Sequence, residues 1–114
     1  MALFTISTSL DDTVCVVQAS GELDYGNAPV FRDEMTKVWE AEALSVIVVD
    51  VTALTFCDST GVSELIAILR QSRALGARLI LAGVHGTLER ILTITGLRSA
   101  FELSPSVGEA LQEM

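Results

Sequence analysis

The period of the apolar positions changes several times along this chain, and each change predicts an element. Phe4 and Ile6 alternate with Thr5 and Ser7, the period-two pattern of a half-buried strand. Asp11-Asp12 forms a polar turn, and Val14 to Ala19, rich in β-branched residues, reads as a second strand. Strands this close in sequence predict an antiparallel hairpin. Gly21-Glu22-Leu23-Asp24 then leads into a loop. Asn27 or Asp24 is placed to cap a helix with Pro29 in its first turn, where a missing N–H costs nothing. Phe31, Met35 and Val38 recur at helical spacing with Ala41 on the flank, which carries that helix to about residue 41.

Ser45 to Val51 is almost continuously apolar, as expected of an interior strand covered on both faces. Phe56 and Cys57 close the turn after it. A long helix is predicted from Ser59 to about Ala74, with Val62, Leu65, Ile66 and Leu69 inward, Ile68 off that face, and Gly76 as terminator. Arg78 to Ala82 is the next strand. Thr87 is placed to cap a third helix with core positions Leu88, Ile91, Leu92 and Thr95, ended by a left-handed Gly96 with Leu97 as its hydrophobic contact. A short strand near Ala100 to Glu102 precedes a last helix that starts around Ser104-Pro105-Ser106 and includes Val107, Ala110 and Leu111. The order ββαβαβαβα predicts an α/β fold with a mixed, largely parallel sheet and right-handed crossover helices.

Composition narrows the function. The chain has 114 residues, half of them apolar, which predicts one domain over residues 1–114 that folds without a disulfide or metal. Cys15 and Cys57 sit among apolar neighbours and read as reduced core thiols, and no metal or cofactor site is expected. Fifteen acidic residues against seven basic give a net charge of −8, which argues against direct nucleic-acid binding. The acids concentrate in the first 64 residues, eleven against two bases, and suggest an acidic face that meets a protein partner or serves solubility. No uncharged run is long enough to span a bilayer, and the first ten residues lack the pattern of a signal peptide, so a cytoplasmic location is expected.

The chemistry-bearing segment is Asp58-Ser59-Thr60-Gly61, at the start of the longest helical pattern. By itself it is a helix cap, because Asp, Ser and Thr oxygens accept first-turn amide protons. A serine hydroxyl exposed at a helix start is also open to a kinase, and the helix dipole and free N–H groups tolerate a phosphate there. His85, the single histidine, raises a Ser59–His85–Asp hydrolase as a rival, but Gly-x-Ser-x-Gly is absent and catalysis is not expected. Trp39 is placed as a partly buried packing residue. Ile68 is a candidate exposed contact beside Gly61 and Glu64.

Val48-Val49-Asp50-Val51-Thr52 through Phe56-Cys57-Asp58-Ser59-Thr60-Gly61-Val62, with Gly21-Glu22-Leu23-Asp24 before it and Thr95-Gly96-Leu97 after it, resembles STAS domains, specifically bacterial anti-sigma-factor antagonists. That resemblance implies a partner switch. The unmodified protein would bind an anti-sigma factor that is also an ATP-dependent serine kinase and so free the sigma factor. Ser59 would be the phospho-acceptor, and a metal-dependent serine phosphatase would reverse the mark. Asp24 and Asp58 match acidic positions flanking the serine. Asp24, Asp58, Ser59, Thr60, Gly61, Ser63 and Glu64 are the expected partner-binding residues. Ser63 stands where the family often has glycine, which bears on how closely a partner helix approaches. Thr60 stands where many members have serine and is a possible second acceptor. The alternative within the family is a non-catalytic STAS ligand-binding or scaffold module of a transport or signalling assembly.

Overall fold

A computed structural model describes residues 3–41 and 43–113. Among the described residues five strands form one sheet in the order β1-β2-β3-β4-β5, namely Phe4–Asp11, Val14–Leu23, Val46–Cys57, Arg78–Ala82 and Glu102–Ser104. β1 pairs antiparallel with β2 through the expected hairpin, while β2–β3, β3–β4 and β4–β5 are parallel. The helices are α1 (Ala28–Trp39), α2 (Ser59–Ala74), α3 (Gly86–Thr95) and α4 (Val107–Gln112), with a 3-10 turn at Leu97–Ala100. The mixed, largely parallel α/β fold and the element order stand as the sequence predicts.

The two faces of the sheet are covered unequally. Cys15, Val17 and Ala19 of β2, Ile47, Val49 and Val51 of β3, and Leu79 and Leu81 of β4 point to one side, where α1, α2 and α3 bury them. Val46, Val48, Ile80 and Ala82 point to the other, where the short α4 supplies Ala110. The continuous apolar run of β3 reflects this double cover, since residues 46–49 are buried on both faces. Phe31 is fully buried and meets Phe4 edge-to-face at 6.4 Å, which fastens α1 over the edge hairpin.

Several boundaries differ from the sequence pattern. β2 does not stop at Ala19 but runs to Leu23, because Gly21 (φ +96°) sits at a bulge inside the strand rather than at the start of a loop. A Cβ there would lie 1.8 Å from the Leu3 carbonyl oxygen, so only glycine allows the chain to pass. β3 runs to Cys57, and Phe56 and Cys57 belong to the strand, not to a turn. Past Val51 the strand pairs with β2 alone, so the two-residue burial rhythm is lost. α1 ends at Trp39, and β5 begins at Glu102 because residues 97–100 form the 3-10 turn.

Ile68 is buried, only 4% exposed, and Ile66 is half-buried, the reverse of their expected roles. Packing of α1 against α2 covers Ile68, a neighbour that periodicity within α2 does not reveal. Thr95 is exposed rather than a core position. Thr87 does not cap α3; its hydroxyl oxygen accepts the Cys57 N–H at 3.1 Å and ties α3 to the end of β3.

Phe31→Ala should cost about 3–5 kcal/mol of unfolding free energy, through lost burial and an unfilled cavity. A urea titration followed by circular dichroism measures it, with an unchanged midpoint as the contrary result.

Candidate functional site

The site is built on the two strands that outrun the rest of the sheet. Parallel register pairs Leu23 with Cys57, so the next residues, Asp24 and Asp58, emerge side by side. The Asp58 N–H donates to the Leu23 carbonyl at 3.3 Å and continues this alignment past the ladder.

Asp58 then serves two elements at once. Its Oδ1 accepts the Gly61 N–H at 3.0 Å and caps α2. Its Oδ2 accepts the Tyr25 N–H at 3.1 Å and holds the loop after β2. Asp24 braces the same loop, with Oδ1 accepting the Asn27 N–H at 3.0 Å and its carbonyl accepting the Ala28 N–H at 2.8 Å. The Asn27 side-chain amide donates to the Glu22 carbonyl at 3.0 Å. Asn27 is the residue before α1, yet its own side chain makes no capping bond.

Ser59 is the first residue of α2 and is exposed. Its carbonyl accepts the Ser63 hydroxyl at 3.0 Å. The N–H groups of Ser59 and Thr60 have no carbonyl partner within the helix, as at every helix start, so the local field is positive and favours an anion. Thr60 is half-buried and Ser63 exposed. Gly61 is buried beneath them: a Cβ would lie 2.5 Å from the Leu23 carbonyl oxygen and 2.7 Å from the Cys57 sulfur. This close approach lets the first turn of α2 rest directly on the two strand ends.

The expected site residues are not equivalent in space. Asp24, Asp58, Ser59 and Thr60 cluster at the strand ends, with Ser63 one turn along. Glu64 faces α1 instead. Arg32 donates to it from Nη2 at 2.8 Å and Nε at 3.2 Å, and the Glu64 side chain is 12% exposed. Arg32 and Tyr25 escaped the sequence reading. A lone tyrosine in a polar turn is a usable signal for the second, whereas the pairing of Arg32 with Glu64 depends on how α1 crosses α2.

Cys57 lies under the site with its thiol pushed up to about 12, chiefly by burial and secondarily by the Asp58 charge. Its S–H donates to the Asp58 carbonyl at 3.6 Å. His85 precedes α3, and its Nε2 lies 2.8 Å from the Thr52 carbonyl. A carbonyl only accepts, so Nε2 carries the proton and is committed there rather than to Ser59. An open cleft of about 580 Å³ adjoins it, lined by Thr52, Gly83, His85, Arg98, Ser104 and Pro105. The Arg98 guanidinium there is already paired with Glu89 at 3.0 Å. No helix among the described residues is long and apolar enough to cross a membrane.

Comparison with known proteins gives the same direction. A family model described as "STAS domain" matches residues 5–110. The chain is 29% identical over 90 residues to a protein of Listeria monocytogenes named anti-sigma-B factor antagonist, which covers 79% of this chain and 78% of that one. It is 30% identical over 89 residues to the Bacillus subtilis protein of the same name, with 77% and 79% covered. A crystal structure of an anti-sigma factor antagonist from Mycobacterium paratuberculosis superposes with a TM-score of 0.81 at 28% identity, covering 97% of this chain and 93% of the other.

Asp58→Ala should destabilise the fold by about 1–2 kcal/mol, because it removes the α2 cap, as read from thermal unfolding. Asp58→Asn keeps an acceptor oxygen and should cost less. Loss of equal size in both would point to charge rather than to the hydrogen bonds. Cys57 should resist iodoacetamide at pH 8 in the native chain and react on denaturation, because the raised thiol pKa keeps it protonated and burial shields it. Rapid native labelling detected by mass spectrometry is the opposing result. The unfolded thiol ionises first, so Cys57 should lower stability progressively above about pH 9.

Proposed function

The chain belongs to the STAS domain family, and on that premise we propose that it is a phosphorylation-controlled anti-sigma-factor antagonist acting in the cytoplasm. In the unmodified state the surface around the start of α2 binds an anti-sigma factor that is itself a serine kinase, and the sigma factor is released. The kinase transfers the γ-phosphoryl group of ATP to the Ser59 oxygen, with loss of the hydroxyl proton and formation of ADP. A serine phosphatase hydrolyses the ester and restores the hydroxyl. The chain itself contributes no catalytic group to either step; it presents the acceptor.

The observation that carries this reading is the placement of Ser59. Its side chain is exposed, while the turn that bears it is anchored by Asp58 and by the close contact of Gly61 with both strand ends. A phosphate can therefore be added without unfolding anything. It brings about −1.5 to −2 charges to a position beside Asp58. A partner packed closely over the hydroxyl would have to desolvate that dianion or eject it. An interface loss of about 4 kcal/mol weakens binding roughly a thousandfold, enough for an on–off switch. The names of the curated relatives support the same role.

The contacts of the other residues refine the surface. Ser63 is exposed and adds a hydroxymethyl group where a glycine would leave space. Glu64 acts through its ion pair with Arg32, which joins α1 to α2, more than as a free charge. Thr60 is half-buried, a poorer acceptor than Ser59. The alternative of a ligand-binding module gains little from the open cleft near His85, where the His85 and Arg98 side chains already have partners within the chain.

Incubation with candidate anti-sigma kinases and ATP, followed by mass spectrometry, should place one phosphate on Ser59 and none after Ser59→Ala. In titration calorimetry Ser59→Ala should bind the kinase like the unmodified chain, whereas Ser59→Asp should bind at least about tenfold more weakly, a difference of about 1.4 kcal/mol. Equal affinities for Ser59→Asp and the parent chain would refute the electrostatic switch.

A further inference from the structure

We infer that Tyr25 is the aromatic anchor by which the serine kinase recognises this chain, a specificity residue adjacent to the phospho-acceptor. The inference rests on the phosphorylation switch proposed above and names the residue that its partner grips. Tyr25 is 80% exposed, the highest value among the exposed large apolar side chains described. Exposure alone would mean little, since single apolar side chains are common on surfaces. Ile94 (77%) and Leu3 (72%) are almost as exposed.

What sets Tyr25 apart is its mounting. Its own N–H is held by Asp58 Oδ2 at 3.1 Å. The residues on either side of its turn are fixed by Asp24 and by the Asn27 amide. The backbone is thus ordered before any partner arrives, and only the two side-chain torsions of the ring remain to be frozen. Rigid, amphipathic tyrosines of this kind give large contact area at low entropic cost and are enriched among residues that dominate binding energy.

Geometry also selects the occupant. The acceptor Ser59 follows Asp58 directly, and Asp58 is hydrogen-bonded to Tyr25. A kinase that brings a γ-phosphoryl group to Ser59 therefore works beside the loop whose Tyr25 backbone Asp58 holds. Among the described residues the Tyr25 hydroxyl makes no hydrogen bond within the chain: the Asp24 and Asp58 carboxylates accept backbone N–H groups, and Arg32 is engaged by Glu64. The matching surface on the kinase is an apolar slot beside its phosphoryl-transfer site.

The test uses the full chain and the purified anti-sigma kinase that modifies Ser59. Tyr25→Ala should raise the Kd of the unphosphorylated chain at least about thirtyfold, the scale of a dominant interface residue. It should raise the KM of phosphorylation and leave kcat unchanged, because the ring binds and does not react. Tyr25→Phe, which keeps the apolar body, should stay close to the parent chain. Ile94→Ala, at a comparably exposed side chain on α3, should bind normally. Thermal midpoints of all three should match the parent. Parent-like Kd and KM for Tyr25→Ala overturn the inference and leave the switch standing. Tyr25-dependent self-association in sedimentation, with kinase affinity intact, overturns it in favour of a second copy as the occupant. If no anti-sigma kinase binds or modifies the parent chain, the functional reading itself fails, and that is visible before any Tyr25 variant is made.

Discussion

One carboxylate joins the three elements on which the site depends. Asp58 follows β3, caps α2 with one oxygen and holds the loop after β2 with the other. Each bond alone is worth about 1 kcal/mol. Their joint effect is geometric: the helix start and the loop cannot move independently while both are made. Gly61 completes the arrangement by letting α2 approach the Leu23 carbonyl and the Cys57 sulfur at a distance no side chain permits.

The rest of the fold supplies the platform. Among the described residues α1, α2 and α3 press on one face of the sheet and the short α4 on the other, yet β3 is apolar on both and holds the centre. The candidate site lies beyond the ladder of β3 with β4, where β2 and β3 continue as a pair. In parallel α/β sheets the loops that follow the strands converge at this end, which makes it the place where side chains from distant segments meet. Here Leu23 and Cys57, adjacent in register, bring together two acidic residues thirty-four positions apart in the chain. The Arg32–Glu64 pair joins α1 to α2. A group added to an exposed side chain on such a support alters charge and shape while the packing beneath stays as it was.

Much of this was legible in the residues. The limits of α2, the hairpin, the doubly covered run at Val46 to Val49 and the left-handed Gly96 follow from local rules of period, capping and backbone freedom. The landmark segments pointed to the family and to Ser59 before any geometry was available. The errors share a cause. Gly21 reads as the start of a loop because glycine usually ends a strand, but here it makes a bulge that the neighbouring Leu3 backbone requires. Thr87 reads as a cap, but its hydroxyl oxygen is taken by an amide of β3.

The sequence by itself determined the order and type of the elements, the acidic character of the chain and the serine at the head of a helix. Those properties arise from residues within a few positions of one another. Only the tertiary structure decided that Ile68 is covered, that Glu64 is paired with Arg32, and that the Tyr25 N–H is held by Asp58 on a braced loop. Each of these depends on a partner more than thirty residues away or on a whole helix laid across another. Local periodicity has no term for a neighbour that arrives from elsewhere in the chain.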